Sequence, residues 1–212
     1  MNRKELIIFD LDGTLLDTSQ GIYNSVRYAE QEMGFEPISD DRLREFVGPP
    51  PKKMYMTVYG VSEEIAMKAA QKHREYGRSK AIYEAVPYPD MKSTLVELKQ
   101  KGYKLAVATL KSEEIAISVL TITGLLECFD TVVGMDAKES LTKADTIRIA
   151  MDRTDVLDVQ KTTLVGDSEY DWIGAKECGV DFIAAMYGFG TEIFKCLDVK
   201  KIHEIKELLL YW

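Results

Sequence analysis

The sequence predicts a doubly wound α/β fold, a parallel sheet with helices on both faces, carrying an all-helical insertion after its first strand. Three observations predict it. Leu6-Ile7-Ile8-Phe9 is a short continuous apolar run, the pattern of a strand buried on both faces. From residue 90 onward, short apolar runs alternate with helical patterns of about ten residues, which implies βαβ units. Between about residues 19 and 82 the periodicity is helical and no stretch reads convincingly as a strand.

Taken in order, the period switches after Thr18. Ile22, Val26, Ala29 and Met33 fall on one helix face that ends near Gly34. Helical stretches are expected around Arg42 to Val47, Lys52 to Val58, and Ser62 to about Lys80. Ser62 is placed to cap the last of these, with Glu63 and Glu64 in its first turn. Asp90 opens a helix with Met91, Leu95 and Leu98 on one face, closed by Gly102. Then follow a strand at Lys104–Ala108, a helix from Ser112 to Gly124, a strand at Asp130–Val133 and a helix at Lys143–Met151. Thr162–Val165 is a strand, Glu169–Cys178 a helix ended by Gly179, and Phe182–Ala185 a strand. A last helix is expected over Lys201 to Leu210.

Length and composition bound the function. The 212 residues suit a main domain with an insertion, and 46% hydrophobic residues are enough for a real core. A net charge of −8 argues against nucleic acid as partner, although a local cation can still reverse the field in one cleft. Cys128, Cys178 and Cys196 lack metal-ligand spacing and are expected as small buried apolar side chains in a reducing compartment. Met1-Asn2-Arg3-Lys4-Glu5 runs into too few apolar residues for a signal peptide. No apolar run reaches the ~20 residues that span a bilayer, so no membrane partner and a cytoplasmic location are expected.

In open α/β sheets ligands bind beyond the C-terminal ends of the strands. The polar residues that follow the apolar runs are Asp10 and Asp12, then Thr109 and Lys111, then Gly166-Asp167-Ser168-Glu169-Tyr170-Asp171. Lys143 opens a helix on the same rim. Four carboxylates gathered there repel one another unless a hard cation sits among them, and Mg²⁺ suits carboxylates plus phosphate oxygen. That inventory fits phosphoryl transfer to a protein carboxylate, with Asp10 the nucleophile and Lys143 and Mg²⁺ keeping it ionised. Asp12, two residues on, is expected as general acid and base. Thr109 and Lys143 are expected to contact phosphate, and Gly13 and Thr14 to cradle it through their N–H groups. Taken alone, Gly166-Asp167 is as often a turn with a helix cap, and Asp171 is an ordinary first-turn carboxylate. Asp10-Leu11-Asp12-Gly13-Thr14 has no comparable structural use, because paired carboxylates at the end of an apolar strand serve no packing purpose.

These segments resemble the haloacid-dehalogenase-like hydrolase superfamily over nearly the whole chain. Its four motifs look like Asp10-Leu11-Asp12-Gly13-Thr14, Thr109, Lys143 and Gly166-Asp167-Ser168-Glu169-Tyr170-Asp171. The resemblance implies a Rossmann-like core of residues 1–17 and 83–212 and a helical cap of residues 18–82. It also implies Mg²⁺ held by Asp10, the Asp12 carbonyl and Asp167, with Asp171 supporting or joining them. The presence of Asp12 favours phosphoryl transfer over dehalogenation. Ser19-Gln20-Gly21-Ile22, Phe46-Val47-Gly48-Pro49-Pro50, Tyr88-Pro89-Asp90 and Tyr187-Gly188-Phe189-Gly190 are similar to the phosphoglycolate-phosphatase-like branch. Leu110 and Ser168 depart from that branch, which commonly has a polar residue and an arginine there.

The expected function is therefore Mg²⁺-dependent hydrolysis of a small phosphorylated metabolite by a monomer or homodimer. A phosphosugar mutase is the enzymatic alternative and a phosphoryl-accepting switch the non-enzymatic one. In the cap, Arg42, Arg44, Lys52 and Lys53 are candidate partners for an anionic substrate tail or an ordinary solvated surface. Pro49-Pro50-Pro51 reads as a helix-entry loop, His73 and His203 as surface residues, and Trp172 as packing.

Overall fold

The computed structural model describes residues 4–136 and 140–211, so Met1-Asn2-Arg3, part of the segment read for a leader, lie outside the described residues. The chain divides into two compact units, Met1–Asp17 with Val86–Trp212, and Thr18–Ala85. The first unit holds strands β1 (Leu6–Phe9), β2 (Leu16–Asp17), β3 (Val86–Pro87), β4 (Lys104–Ser112), β5 (Thr131–Met135), β6 (Thr162–Gly166), β7 (Asp181–Ala185) and β8 (Lys200–Ile202). The second holds helices α1 (Ser19–Met33), α2 (Asp40–Leu43), α3 (Pro51–Tyr59) and α4 (Glu63–Ser79). Helices α5 (Met91–Gln100), α6 (Glu113–Ile122), α7 (Lys143–Arg153) and α8 (Glu169–Cys178) belong to the first unit.

Six strands form one parallel sheet in the order β5-β4-β1-β6-β7-β8. The chain builds outward from β1 in one direction and then crosses to the other side, which puts the switch point, and its crevice, between β1 and β6. All four residues of β1 are fully buried. Leu6 and Ile8 share one apolar cluster with Ala106, Ala108 and Leu164 from the sheet and Ile147, Ala150 and Ala175 from α7 and α8. Ile7 and Phe9 point to the opposite face because side chains alternate along a strand, and Phe9 meets Phe129 edge-on with ring centroids 6.1 Å apart.

The helical unit follows from its caps and one aromatic core. Gly34 and Gly60 end α1 and α3 in the left-handed conformation, and the Ser62 hydroxyl accepts the Ile65 N–H at the start of α4. Pro51 sits at the first turn of α3, where its missing N–H costs nothing, in keeping with a helix-entry role for the proline run. Tyr55, Phe46, Phe35 and Tyr59 pack against one another. Glu30, 2% exposed, accepts hydrogen bonds from the Ile38 N–H at 2.8 Å and the Tyr59 hydroxyl at 2.7 Å, and pairs with Arg27.

Several expectations need correction. Lys201–Leu210 is not an α-helix: Lys200–Ile202 adds the edge strand β8 beside β7, and Ile205–Leu210 is a 3₁₀ helix. The buried residues Ile202, Ile205 and Leu208 recur every third position, a period that suits 3₁₀ geometry better than α. β4 runs four residues past its expected end, to Ser112, and its register with β5 slips between Ala108 and Ser112. The pair β2–β3, antiparallel, was too short to be signalled by periodicity. His73 is buried rather than on the surface, because α4 turns its ring against Phe46 and Tyr55, whose hydroxyl lies 3.4 Å from Nδ1. His203 is exposed, and Trp172 lies under the Lys176 ammonium. All three cysteines are free, but Cys196 is exposed where burial was expected. No helix among the described residues is long and apolar enough to cross a membrane.

Candidate active site

Asp10 is the first residue beyond β1. Its N–H donates to the Val165 carbonyl, so the main chain is still tied to β6 where the side chain enters the crevice. The chain then turns sharply. Leu15 and Leu16 donate to the Leu11 carbonyl, Gly13 donates to Leu16, and Gly13 takes a φ of 87° that favours glycine. The expectation that the Gly13 and Thr14 N–H groups cradle phosphate meets a loop in which both close onto internal carbonyls, Thr14 onto Leu11. The Thr14 hydroxyl instead donates to Asp167 Oδ1 at 3.0 Å.

Asp167 and Asp171 arrive from the far side of the switch point. Asp167 follows β6, and its Oδ2 accepts the Phe189 N–H at 2.8 Å, with the Gly190 N–H at 3.4 Å. Asp171 is the third residue of α8 and completes a capping box. Its Oδ2 accepts from the Ser168 N–H at 2.9 Å and from the Ser168 hydroxyl at 2.6 Å. Its structural role and its place in the rim are therefore one geometry, because Oδ1 faces Lys143.

Lys143 opens α7, a position where the helix dipole disfavours a cation. Its side chain is 4% exposed, and its ammonium donates to Asp10 Oδ1 at 2.5 Å and to the Ala108 carbonyl at 2.5 Å, and meets Asp171 Oδ1 at 2.6 Å. Burial pulls its proton affinity down, but the ion pairs with Asp10 and Asp171 outweigh that and hold it above the ordinary lysine value. Asp10, Asp167 and Asp171 offer carboxylate oxygens within 4.8 Å of one another. Burial first, then mutual repulsion, pushes Asp10 well above the usual carboxylate range against the pull of Lys143. The same causes push Asp167 up to about 7. Three buried carboxylates against one ammonium are an all-oxygen donor set short of positive charge, which fits a hard divalent cation.

Thr109, Leu110 and Lys111 lie where β4 slips out of register with β5, a local irregularity that re-aims side chains toward the crevice. Thr109 is buried. Its hydroxyl oxygen accepts the Lys111 N–H at 3.1 Å, and its own O–H meets no acceptor among the described residues. Lys111 reaches across to Asp12, 2.8 Å from Oδ1 and 2.9 Å from Oδ2. The Asp12 carboxylate thus stands apart from the three-carboxylate group, and only its carbonyl remains a candidate ligand. In the helical unit, Arg42 pairs with Glu45 and Lys52 with Glu63, as in a solvated charged surface.

Sequence reasoning singled out Gly188 only as part of a segment similar to one branch and missed Gly174, and both make room for this cluster. A Cβ on Gly188 would collide with the Asp167 side chain and the Gly13 carbonyl, so the loop after β7 approaches Asp167 only because it lacks one. Gly174, inside α8, leaves space for the Lys143 stem: a Cβ there would sit 2.7 Å from Lys143 Cγ. An isolated glycine within a helical pattern was the available signal. The Tyr187 hydroxyl donates to the Thr14 carbonyl at 3.0 Å, and Tyr88 packs edge-on against Tyr187.

A model of the haloacid dehalogenase-like hydrolase family matches residues 7–185. Among curated proteins, a 5'-nucleotidase of Pseudomonas aeruginosa is 33% identical over 210 residues, with 95% of each chain covered. A phosphoglycolate phosphatase of Aquifex aeolicus is 29% identical over 189 residues, covering 87% of this chain and 85% of that one. Among solved structures, a predicted phosphatase from Clostridium acetobutylicum superposes with a TM-score of 0.91 at 33% identity, over 100% of both chains.

Proposed function

Because the chain belongs to the haloacid dehalogenase-like hydrolase family and acts as a phosphatase, we propose that it hydrolyses small phosphomonoesters with Mg²⁺ through an aspartyl-phosphate on Asp10. The observation that carries the reading is Asp10 itself, buried at the end of the central strand with one oxygen held by Lys143. Its Oδ2 is left to attack phosphorus.

In the first half-reaction Oδ2 of Asp10 forms a bond to phosphorus as the ester P–O bond breaks, and Asp12 protonates the departing alcohol. In the second, water attacks the phosphorus, gives its proton to Asp12, and Asp10 leaves as a carboxylate. Thr109 donates its O–H to a phosphoryl oxygen, and Lys143 balances charge on Asp10 throughout. Asp10, Asp167 and the Asp12 carbonyl, with Asp171 alongside, would hold Mg²⁺, which when bound would supply positive charge to the phosphoryl group. Thr14, Phe189 and Gly190 orient Asp167 for that task.

Residues 18–82 serve in this reading as the cap that selects the substrate, which is supported by an insertion that starts directly after the Asp10 loop and holds no strand among its described residues. The names of the relatives point to nucleoside 5'-monophosphates and phosphoglycolate as the first substrates to try. A reducing cytoplasm suits the three free cysteines. Phosphate release from p-nitrophenyl phosphate is expected to require Mg²⁺ and to disappear in Asp10→Asn and Asp167→Asn. Full activity in Asp10→Asn sinks the mechanism.

A further inference from the structure

We infer that Lys111 is a positioning residue that holds the Asp12 carboxylate in place for the hydrolysis of the phosphoenzyme. The inference rests on the proposed aspartyl-phosphate reading and adds to it a residue that the four motifs do not include.

β1 and β4 are neighbours in the sheet, so the loops leaving them emerge side by side. The ladder ends at the pair Phe9 and Val107, and beyond it the two chains are no longer paired. Lys111 closes that gap with both Asp12 oxygens within hydrogen-bond distance of one ammonium. The pair is partly buried, with side-chain exposures of 20% for Lys111 and 14% for Asp12, so solvent screens it less than a surface pair. The Lys111 backbone is fixed as well, because its N–H donates to the Thr109 hydroxyl. One short segment therefore aims the Thr109 donor and the Asp12 carboxylate together.

An aspartate has two side-chain torsions, and a single contact leaves the carboxylate free to rotate. Contact to both oxygens narrows that freedom. A carboxylate whose two oxygens both accept from an ammonium still has lone pairs to receive a water proton. The held state is accordingly the one that serves the second half-reaction: water attacks phosphorus, the Asp10–phosphorus bond breaks, the water proton passes to Asp12, and inorganic phosphate departs. Donation to the leaving alcohol in the first half-reaction requires Asp12 to loosen from Lys111. Loss of Lys111 therefore falls on dephosphorylation more than on phosphorylation.

The test is rapid-mixing kinetics on the full chain with Mg²⁺ and p-nitrophenyl phosphate, using Lys111→Met, Lys111→Gln, Asp12→Asn and the Asp12→Asn/Lys111→Met double variant. Thermal unfolding checks that each is folded. In both Lys111 variants dephosphorylation is expected to slow about 10-fold or more, within the range of a misaligned proton-transfer group. A burst of p-nitrophenol then appears, phosphoenzyme accumulates, and kcat becomes the same for aryl and alkyl phosphates. In the double variant the rate is expected to equal that of Asp12→Asn alone, because Lys111 acts only through Asp12. A further drop in the double variant, a raised KM with kcat unchanged, or unaltered kinetics in both Lys111 variants each overturns the inference. Normal dephosphorylation in Asp12→Asn instead removes the acid/base reading of Asp12, and phosphoenzyme formed by Asp10→Asn removes the nucleophile.

Discussion

Replacing Lys143 by methionine isolates the charge at the centre of the site. Methionine keeps most of the stem that fills the space over Gly174, so the change removes an ammonium rather than opening a cavity. What is left is Asp10, Asp167 and Asp171, each nine-tenths or more buried, with no cation among them. Breaking a buried ion pair by deleting one partner costs about 3–5 kcal/mol. For a chain of this size that corresponds to a fall in Tm of roughly 6–20 °C. The loss has a pH signature. Protonation relieves the stranded carboxylates, so the destabilisation is expected to be large at pH 8 and smaller at pH 5.5. Urea unfolding followed by circular dichroism in the presence of a chelator measures both. Adding Asp171→Asn to Lys143→Met is expected to restore part of the loss, since it removes one stranded charge. A loss below about 1 kcal/mol at pH 8, or an equal loss at the two pH values, refutes the reasoning, because the buried-pair cost it rests on is then absent.

Three other perturbations follow from the same geometry. Asp167, raised to about 7, keeps a proton in the folded chain that the unfolded chain has lost, so stability of the metal-free protein falls as pH rises from about 4 to about 7. Mg²⁺ must displace that proton, and the increase in Tm on adding Mg²⁺ is expected to be small at pH 5.5 and large at pH 8; equal increases count against a buried carboxylate site. Gly188→Ala forces the loop after β7 away from Asp167 and is expected to weaken Mg²⁺ activation about 10-fold or more, read as the metal concentration at half-maximal rate. In the helical unit, Glu30→Ala strips the acceptor from Ile38, Tyr59 and Arg27, at a cost of about 3 kcal/mol, and faster amide exchange at Ile38 than elsewhere in that unit is the expected readout.

The parts of the molecule that were legible in the sequence are those written in consecutive residues. Leu6–Phe9 and Thr162–Gly166 announce buried strands, and the carboxylates that end them fall at the switch point because strand order dictates it. The candidate rim could therefore be listed from Asp10, Thr109, Lys143 and Asp167. What could not be read is which rim residues touch. Lys143 meets Asp171 because α7 and α8 begin beside one another, and nothing near either residue encodes that distance. The tie between Lys111 and Asp12 depends on a register slip in β4 that no periodicity marks. Gly174 and Gly188 are informative only through what is absent from them. At the C-terminus, Ile205 and Leu208 fit a helical template, but pairing of Lys200–Ile202 with β7 ended the α-helical option.

The β2–β3 ladder joins Leu16 to Pro87 and Asp17 to Val86, so the points where the chain leaves and re-enters the sheet unit are bonded to each other. The insertion therefore starts and ends at a closed stem. Excising residues 18–85 and joining Asp17 to Val86 through a two-residue Asn-Gly turn converts that stem into an ordinary hairpin. It follows that this segment can be lengthened, shortened or exchanged without cutting any strand of the six-stranded sheet, all of which lie outside it.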